Sequence, residues 1–595
     1  MILKTRQVTL IVILLFAWLH NCYSQTAMIN FAGRDRIMLN GNWQVIIDPV
    51  GAGDGKQVWL EKKLEAKTDF AEYSFDGGPI LKVPGDFNSQ LCELSFYEGI
   101  VWYKKQFQQI KKQGKRYFLY FGAVNYSADV FLNGMKLGTH EGGFTSFQFE
   151  VTRLLKDGVN TVIVRTDNHR IKNGLPALGF DWFNYGGITR DVALIQTEES
   201  FIKDYFIHLK KGSLDTVCGW IKLDGNVDKA EIKLTIPEIN FSSRLETNNE
   251  GYAEFVFKAG LELWSPKNPK RYQVLIENGK EKLIDTIGFR CIEVKGADVL
   301  LNGRKIFLKA INIHEENPLK KRRCINENDA RLLLSAAKEL GCNMVRLVHY
   351  PHNESTIKMA ENMGIMVWSE LPVYQHIDFT DNTVPLKMNR MLEEMISRDK
   401  NRCGIIVWSL SNETYPSASN RDKVLVELTK KCKSLDSTRL ITHVTNSQNY
   451  RHNSFEVWDT LYKHSDLVAI NEYAGWYIPW QGKPSDTKWK ILFPDKPVFI
   501  SEFGGEALHG SKYGRADEAA YWREEYQEKI YKDQVDMFNT IPHLAGVCPW
   551  ILFDYKSPSR LHPVYQKGYN RKGLLSEKGN KKKAWYIIKA FYNKK

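Results

Sequence analysis

Two stretches of the chain carry the same chemical pattern. Ile405 to Leu410 is a short apolar run, rich in β-branched residues and preceded by Gly404, and it leads into the polar pair Asn412-Glu413. Val498 to Ser501 is a second apolar run; it ends in Glu502 and is followed by Gly504 and Gly505. A buried strand that delivers a carboxylate at its C-terminal end is how a β/α barrel presents reacting groups. Two carboxylates on one face of such a barrel are the minimum equipment for cleaving a glycosidic bond.

The segment from residue 291 to 595 alternates apolar strands with amphipathic helical stretches, the pattern of βα units. Eight candidate strands begin near Phe307, Asn343, Ile365, Ile405, Leu440, Leu467, Val498 and Gly546. Between the first two, leucines and alanines of Glu327 to Leu340 recur at helical spacing, and Gly341 supplies a C-cap. Eight strands and their crossovers in about 300 residues fit a (β/α)8 TIM barrel. A doubly wound open sheet is the alternative, but no glycine-rich phosphate loop follows the first strand. The strand ends carry His314, Arg346, His349, Glu370, Asn412, Glu413, His443, Asn471, Tyr473, Glu502 and Trp550, a polar ring on apolar strands.

Ahead of the barrel the chain reads as all-β. Residues 25–200 break into short strands separated by turn signals such as Asn133-Gly134 and Asp157-Gly158, as in a jelly-roll β-sandwich. Residues 201–290 have the spacing of a smaller immunoglobulin-like β-sandwich. Residues 1–24 have the form of a cleavable signal peptide: Lys4 and Arg6, an apolar run from Val8 to Leu19, then small residues at Cys22 and Ser24. A secreted or periplasmic location is therefore expected, with no later membrane span. The nine cysteines show neither a CxxC pair nor zinc spacing. The formal charge of +13 draws on scattered lysines, many of them after Lys578; it suits acidic saccharide partners better than nucleic acid.

Nearly the whole mature chain resembles glycoside hydrolase family 2, the family of β-galactosidases, β-mannosidases and β-glucuronidases. The motifs are Trp102 to Lys105 and Phe131 to Gly134 in the first domain, Ile311 to Glu315 at the barrel entry, Trp408 to Glu413, and Ile500 to Gly504. The family is retaining, which implies Glu413 as general acid/base and Glu502 as nucleophile. A retaining pair stands roughly 5–5.5 Å apart, and the acid must start protonated. By the same resemblance Asn412 holds the sugar 2-hydroxyl, Arg346 keeps Glu502 ionised and Tyr473 hydrogen-bonds it.

Within the family the likeness narrows to bacterial β-glucuronidases. It rests on Asn471 to Tyr477, on Asp181 to Arg190 (a loop by which the first domain reaches the active site), on His349-Tyr350-Pro351, and on Asn570-Arg571-Lys572-Gly573. The last matches an Asn-x-Lys signature for a uronate carboxylate, for which an ammonium and an amide donor are suited. The resemblance implies substrate contacts from Asp181, His349, Asn412, Tyr473, Tyr477, Trp550, Asn570 and Lys572, with Arg346 and His314 supporting. Asn-x-Lys-Gly also occurs in β-galactosidase-like members, and an arginine of some glucuronidases is Gln566 here, with Arg560 or Arg571 as replacements. A β-galactosidase, a β-galacturonidase and a non-catalytic carbohydrate-binding protein stay as alternatives. The mechanism requires no cofactor and no metal; His314-Glu315 resembles a metal pair without a third ligand. Gln375 to Lys387 and Ala474 to Lys490, the latter with Trp476, Trp480 and Trp489, are candidate subsite walls. Family members are often dimers or tetramers, so a homo-oligomer is expected by resemblance.

Overall fold

The computed structural model describes residues 23–62, 71–446, 448–511 and 521–595. The leader expected over residues 1–24 lies, except for Tyr23 and Ser24, outside the described residues. The first domain packs a five-stranded antiparallel sheet on a six-stranded one. Alternation puts Tyr103, Val130, Val162 and Val164 of one sheet against Leu119, Phe121, Phe147 and Leu194 of the other. The strands Ser127–Leu132 and Met135–Glu141 meet in a two-residue turn at Asn133 and Gly134, with φ of 52° and 82°. Both angles are left-handed, which is why the turn wants Asn-Gly. A second sandwich of three and four strands runs from Phe201 to Ile287 around Ile207, Val217, Ile232, Leu234 and Val274.

The third unit is a closed parallel barrel. Its strands are β1 (Leu308–Lys309 and Asn312–Ile313), β2 (Met344–Leu347), β3 (Met366–Glu370), β4 (Ile405–Asn412), β5 (Leu440–Thr445), β6 (Val468–Asn471), β7 (Val498–Glu502) and β8 (Leu544–Val547). The two halves of β1 close the ring, one pairing with β8 and the other with β2. An antiparallel meander, Ile292–Lys295, Asp298–Leu301 and Arg304–Lys305, plugs the bottom: Ile292, Val299 and Leu301 pack on Met344, Met366 and Phe499.

Helices α1 (Glu327–Leu340), α2 (Glu354–Asn362), α3 (Thr383–Asp399) and α4 (Arg421–Leu435) follow the first four strands, and α5 (Glu524–Phe538) and α6 (Lys583–Lys594) follow the last two. Asn326 caps α1 by accepting from Asp329 N–H at 3.1 Å, and Gly341 ends it at φ 99°. After β5 and β6 the chain departs from the expected alternation. A 3-10 turn, Thr460–His464, and a three-stranded sheet, Gln448–Arg451, Ser454–Val457 and Lys488–Ile491, stand in place of helices. Pro479, Gly482 and Pro484 deny that stretch a helical period. Trp480 and Trp489 pack there rather than facing a cavity; Trp489 stacks on Phe455 at 4.5 Å and bonds Thr540. The eight described cysteines, all but Cys22, are free thiols, most of them buried.

Candidate active site

Glu413 follows β4 directly. Its φ of 52° is left-handed, a conformation that costs a non-glycine residue about 1 kcal/mol or more and turns the side chain off the strand. Two amides hold the half-buried carboxylate: Gln375 Nε2 donates to Oε2 at 2.8 Å and Asn471 Nδ2 to Oε1 at 2.9 Å. Glu502 ends β7 and is buried. Arg346 Nη1 donates to its Oε1 at 2.8 Å, the Tyr473 hydroxyl donates to Oε2 at 2.9 Å, and His349 Nε2 lies 3.9 Å from Oε1. Burial, with a smaller push from Glu413, raises the Glu502 carboxyl above its ordinary range, although Arg346 and His349 oppose the shift.

Arg346 organises the top of the barrel. It is fully buried on β2 and donates to four other strands: Asn312 Oδ1 on β1, Glu370 Oε1 on β3, Asn412 Oδ1 on β4, and both the Ser501 carbonyl and Glu502 on β7. Burial alone would raise Glu370; Arg346 and His349, whose Nδ1 is 3.2 Å away, instead hold it down to about 2. Asn412 Nδ2 is buried and has no hydrogen-bond partner among the described residues.

Both carboxylates line one cavity of about 320 Å³. Its far wall comes from the first domain, where Asp181 and Trp182 reach over the barrel. Arg190, at the end of their loop, and Arg323 both bind Glu315 of the barrel, at 3.0 and 2.8 Å. That buried triad pins the loop in place and holds Glu315 to about 2, with burial opposing the two guanidinium groups. Glu315 is thus occupied in joining the domains rather than facing an ion site.

The end of the cavity beyond Tyr473 is ionic. Lys572 Nζ donates to the Tyr477 hydroxyl at 2.7 Å and lies 5.6 Å from the centre of the Tyr473 ring, whose own hydroxyl touches Glu502. Asn570 takes the Lys572 N–H at 3.1 Å. Arg560 binds Asp181, with Nη2 at 2.5 Å, and Ser557 and Ser559 donate to the same carboxylate. Burial works against ionisation of Asp181, but these partners hold it below the usual range.

The structure therefore brings Asp181, His349, Glu413, Tyr473, Tyr477, Glu502, Trp550, Asn570 and Lys572 onto one surface. Arg346 and Asn412 lie beneath it. His314 stands apart from that wall: its Nδ1 is 3.2 Å from the Tyr350 hydroxyl, its Nε2 has no partner among the described residues, and burial keeps it neutral. Of the two arginines offered in exchange for Gln566, Arg560 lines the cavity, whereas Arg571 turns away to Asp554 and Glu577. Sequence reasoning did not single out Trp182, Tyr374, Gln448 and Tyr555 as lining residues, and named Gln375 only as the start of a candidate wall. Trp182 sits inside a motif already singled out; Gln448 and Tyr555 follow strands at distances that no spacing rule fixes.

Two family models match the chain: the glycosyl hydrolases family 2 TIM barrel domain over residues 292–594 and the family's sugar binding domain over residues 37–198. A β-glucuronidase of Bacteroides fragilis is 28% identical over 616 residues, covering 95% of this chain and 82% of that one. A β-glucuronidase of Streptococcus agalactiae is 25% identical over 577 residues, covering 87% and 93%. A longer protein of Formosa agariphila is 27% identical over 549 residues, and the match spans only 64% of it. Among solved structures, an uncultured Clostridium β-glucuronidase superposes with a TM-score of 0.81 at 25% identity, over 96% of this chain and 100% of that one. A barrel model covering 303 of 595 residues, joined to the sandwich model in the family's own order, leaves one conclusion: the chain belongs to glycosyl hydrolase family 2.

Proposed function

We propose that the protein is an exo-acting retaining β-glucuronidase. Glu502 attacks the anomeric carbon of a terminal β-D-glucuronide while Glu413 protonates the departing oxygen. A covalent glucuronyl ester on Glu502 results, and Glu413 then takes a proton from the water that cleaves it, so the configuration is retained. Asn412 Nδ2, which has no partner among the described residues and stands next to Glu413, suits the 2-hydroxyl, where a hydrogen bond strengthens as the oxocarbenium character develops. Arg346 and Tyr473 favour the ionised nucleophile against the burial that opposes it.

The observation that carries the choice of sugar is the Lys572 ammonium. It stands one aromatic ring away from Glu502 at the end of the cavity, where a bound pyranose would place its C6 carboxylate. A neutral hexose offers only a hydroxymethyl group there and leaves the buried cation without an anionic partner from the substrate. The names of the Bacteroides and Streptococcus relatives support the same reading. The test is release of nitrophenol from the aryl β-D-glucuronide and the aryl β-D-galactoside, for wild type and Lys572→Ala. The proposal expects glucuronide turnover that falls by at least tenfold in the variant; galactoside turnover indifferent to the substitution would overturn the uronate assignment. Export is proposed on the sequence of residues 1–24, and a mature N-terminus beginning near Gln25 is the expected result; an intact Met1 on the exported protein would contradict it.

A further inference from the structure

Behind the ionic end of the cavity lies a carboxylate that the mechanism does not use. Glu506 follows the nucleophile by four residues, past two glycines, and only 1% of its surface is exposed. Its Oε1 is 3.4 Å from both Lys572 Nζ and Arg560 Nη1, and its Oε2 accepts from Gln566 Nε2 and the Arg571 backbone N–H at 3.1 Å each. Each cation has another, closer anchor: Tyr477 for Lys572 and Asp181 for Arg560. Glu506 is therefore not what keeps the two in place. What it supplies is charge. Two cations, Lys572 and Arg560, face two carboxylates, Asp181 and Glu506, so the cluster's own charges nearly cancel. Arg571, which could have tipped the balance, spends its charge on Asp554 and Glu577.

We propose that Glu506 is a buried counter-charge that weakens the grip of Lys572 and Arg560 on a sugar carboxylate, so that the uronic acid released by hydrolysis leaves the pocket. Like charges interact strongly across a desolvated pocket, so a carboxylate product feels Glu506 even without touching it. A pocket with two uncompensated cations would hold substrate and product alike, and tight binding of both gives no gain in turnover once the pocket is filled. The proposal rests on the uronate reading of the site.

The experiment measures the inhibition constant of free D-glucuronate, and of D-glucose as its neutral counterpart, against hydrolysis of the aryl glucuronide. Glu506→Gln keeps an oxygen that accepts from Arg571 N–H and removes the charge. The expected result is a glucuronate inhibition constant lower by roughly tenfold and a lower KM, with the glucose constant unchanged. A purely structural role moves all three constants upward, and an unchanged or higher glucuronate constant overturns the inference. Gln566→Lys, at the half-buried position that donates to Glu506 Oε2, sets a positive charge against Glu506 and offsets its charge while leaving the carboxylate in the chain. It is expected to shift the glucuronate constant in the same direction, and it decides the matter if Glu506→Gln does not fold. Wild type that hydrolyses the glucuronide while both variants leave the constant unmoved refutes this inference alone. Wild type that neither hydrolyses the glucuronide nor binds glucuronate refutes the uronate reading together with it.

Discussion

Replacing Tyr473 by phenylalanine takes one donor from the nucleophile and leaves the ring that separates Glu502 from Lys572. The Tyr473 hydroxyl donates to Glu502 Oε2 at 2.9 Å, while Arg346 serves the other oxygen. A hydrogen bond to an ionised partner is worth roughly 1.5–3 kcal/mol. At 1.36 kcal/mol per unit, its loss raises the Glu502 pKa by roughly 1–2 units. The direction follows from which form is stabilised: the phenol favours the carboxylate, so removing it favours the acid. Glu502 already sits above the ordinary carboxyl range because it is buried. The nucleophile must be ionised, so the acidic limb of kcat/KM on the aryl glucuronide moves to higher pH by that amount, and activity recovers as the pH is raised. The assay is a pH series of initial rates for wild type and Tyr473→Phe. A limb that stays in place, with an equal loss at every pH, would show that the hydroxyl acts on the sugar rather than on Glu502, and the reasoning would fail.

Three further outcomes are expected. Glu413→Ala lowers kcat/KM by about 10²–10⁴ on a sugar or alkyl glucuronide and by less on the nitrophenyl glucuronide, whose leaving group needs little protonation; equal losses on both would argue against a general acid at that position. Glu370, held at about 2 against an ordinary 4.5, contributes about 3 kcal/mol of stability above pH 4.5 that is lost as the pH falls through 2. Arg346→Met leaves Glu370 and Glu502 buried without their cation and costs on the order of 3–5 kcal/mol; urea unfolding at pH 7 and near pH 3 should show that penalty shrinking with acid, and a pH-independent penalty would contradict the ion-pair account.

The placement of the two glutamates was legible because Glu502 ends, and Glu413 directly follows, a strand whose apolar run is unmistakable, and parallel barrel strands deliver their C-terminal ends to one rim. The barrel itself was legible for the same reason, since buried parallel strands read as continuous apolar stretches. The crossovers after β5 and β6 were harder to read: the polar residues of Gln448–Arg451 alternate too briefly to separate a short strand from a loop. Glu506 was illegible for another reason, and so was the choice between Arg560 and Arg571. Both depend on which side chain a loop turns inward: Arg560 lines the cavity, whereas Arg571, beside Lys572 in sequence, faces the other way. His314 shows the converse. It closes a motif at a strand end, yet its ring is buried behind Trp550 and Tyr555, 5.6 and 4.4 Å from their centres.

The most direct measurement uses a 2-fluoro-β-D-glucuronyl fluoride. Its fluorine at C2 slows both formation and breakdown of the ester, and the good leaving group at C1 restores formation alone, so the ester accumulates. Mass spectrometry of a digest then reads which side chain carries the sugar. The account predicts one glucuronyl adduct on the peptide containing Glu502, absent in Glu502→Gln, with loss of activity in step with labelling. An adduct on another residue, or inactivation by the corresponding galactosyl fluoride but not by the glucuronyl one, would contradict it.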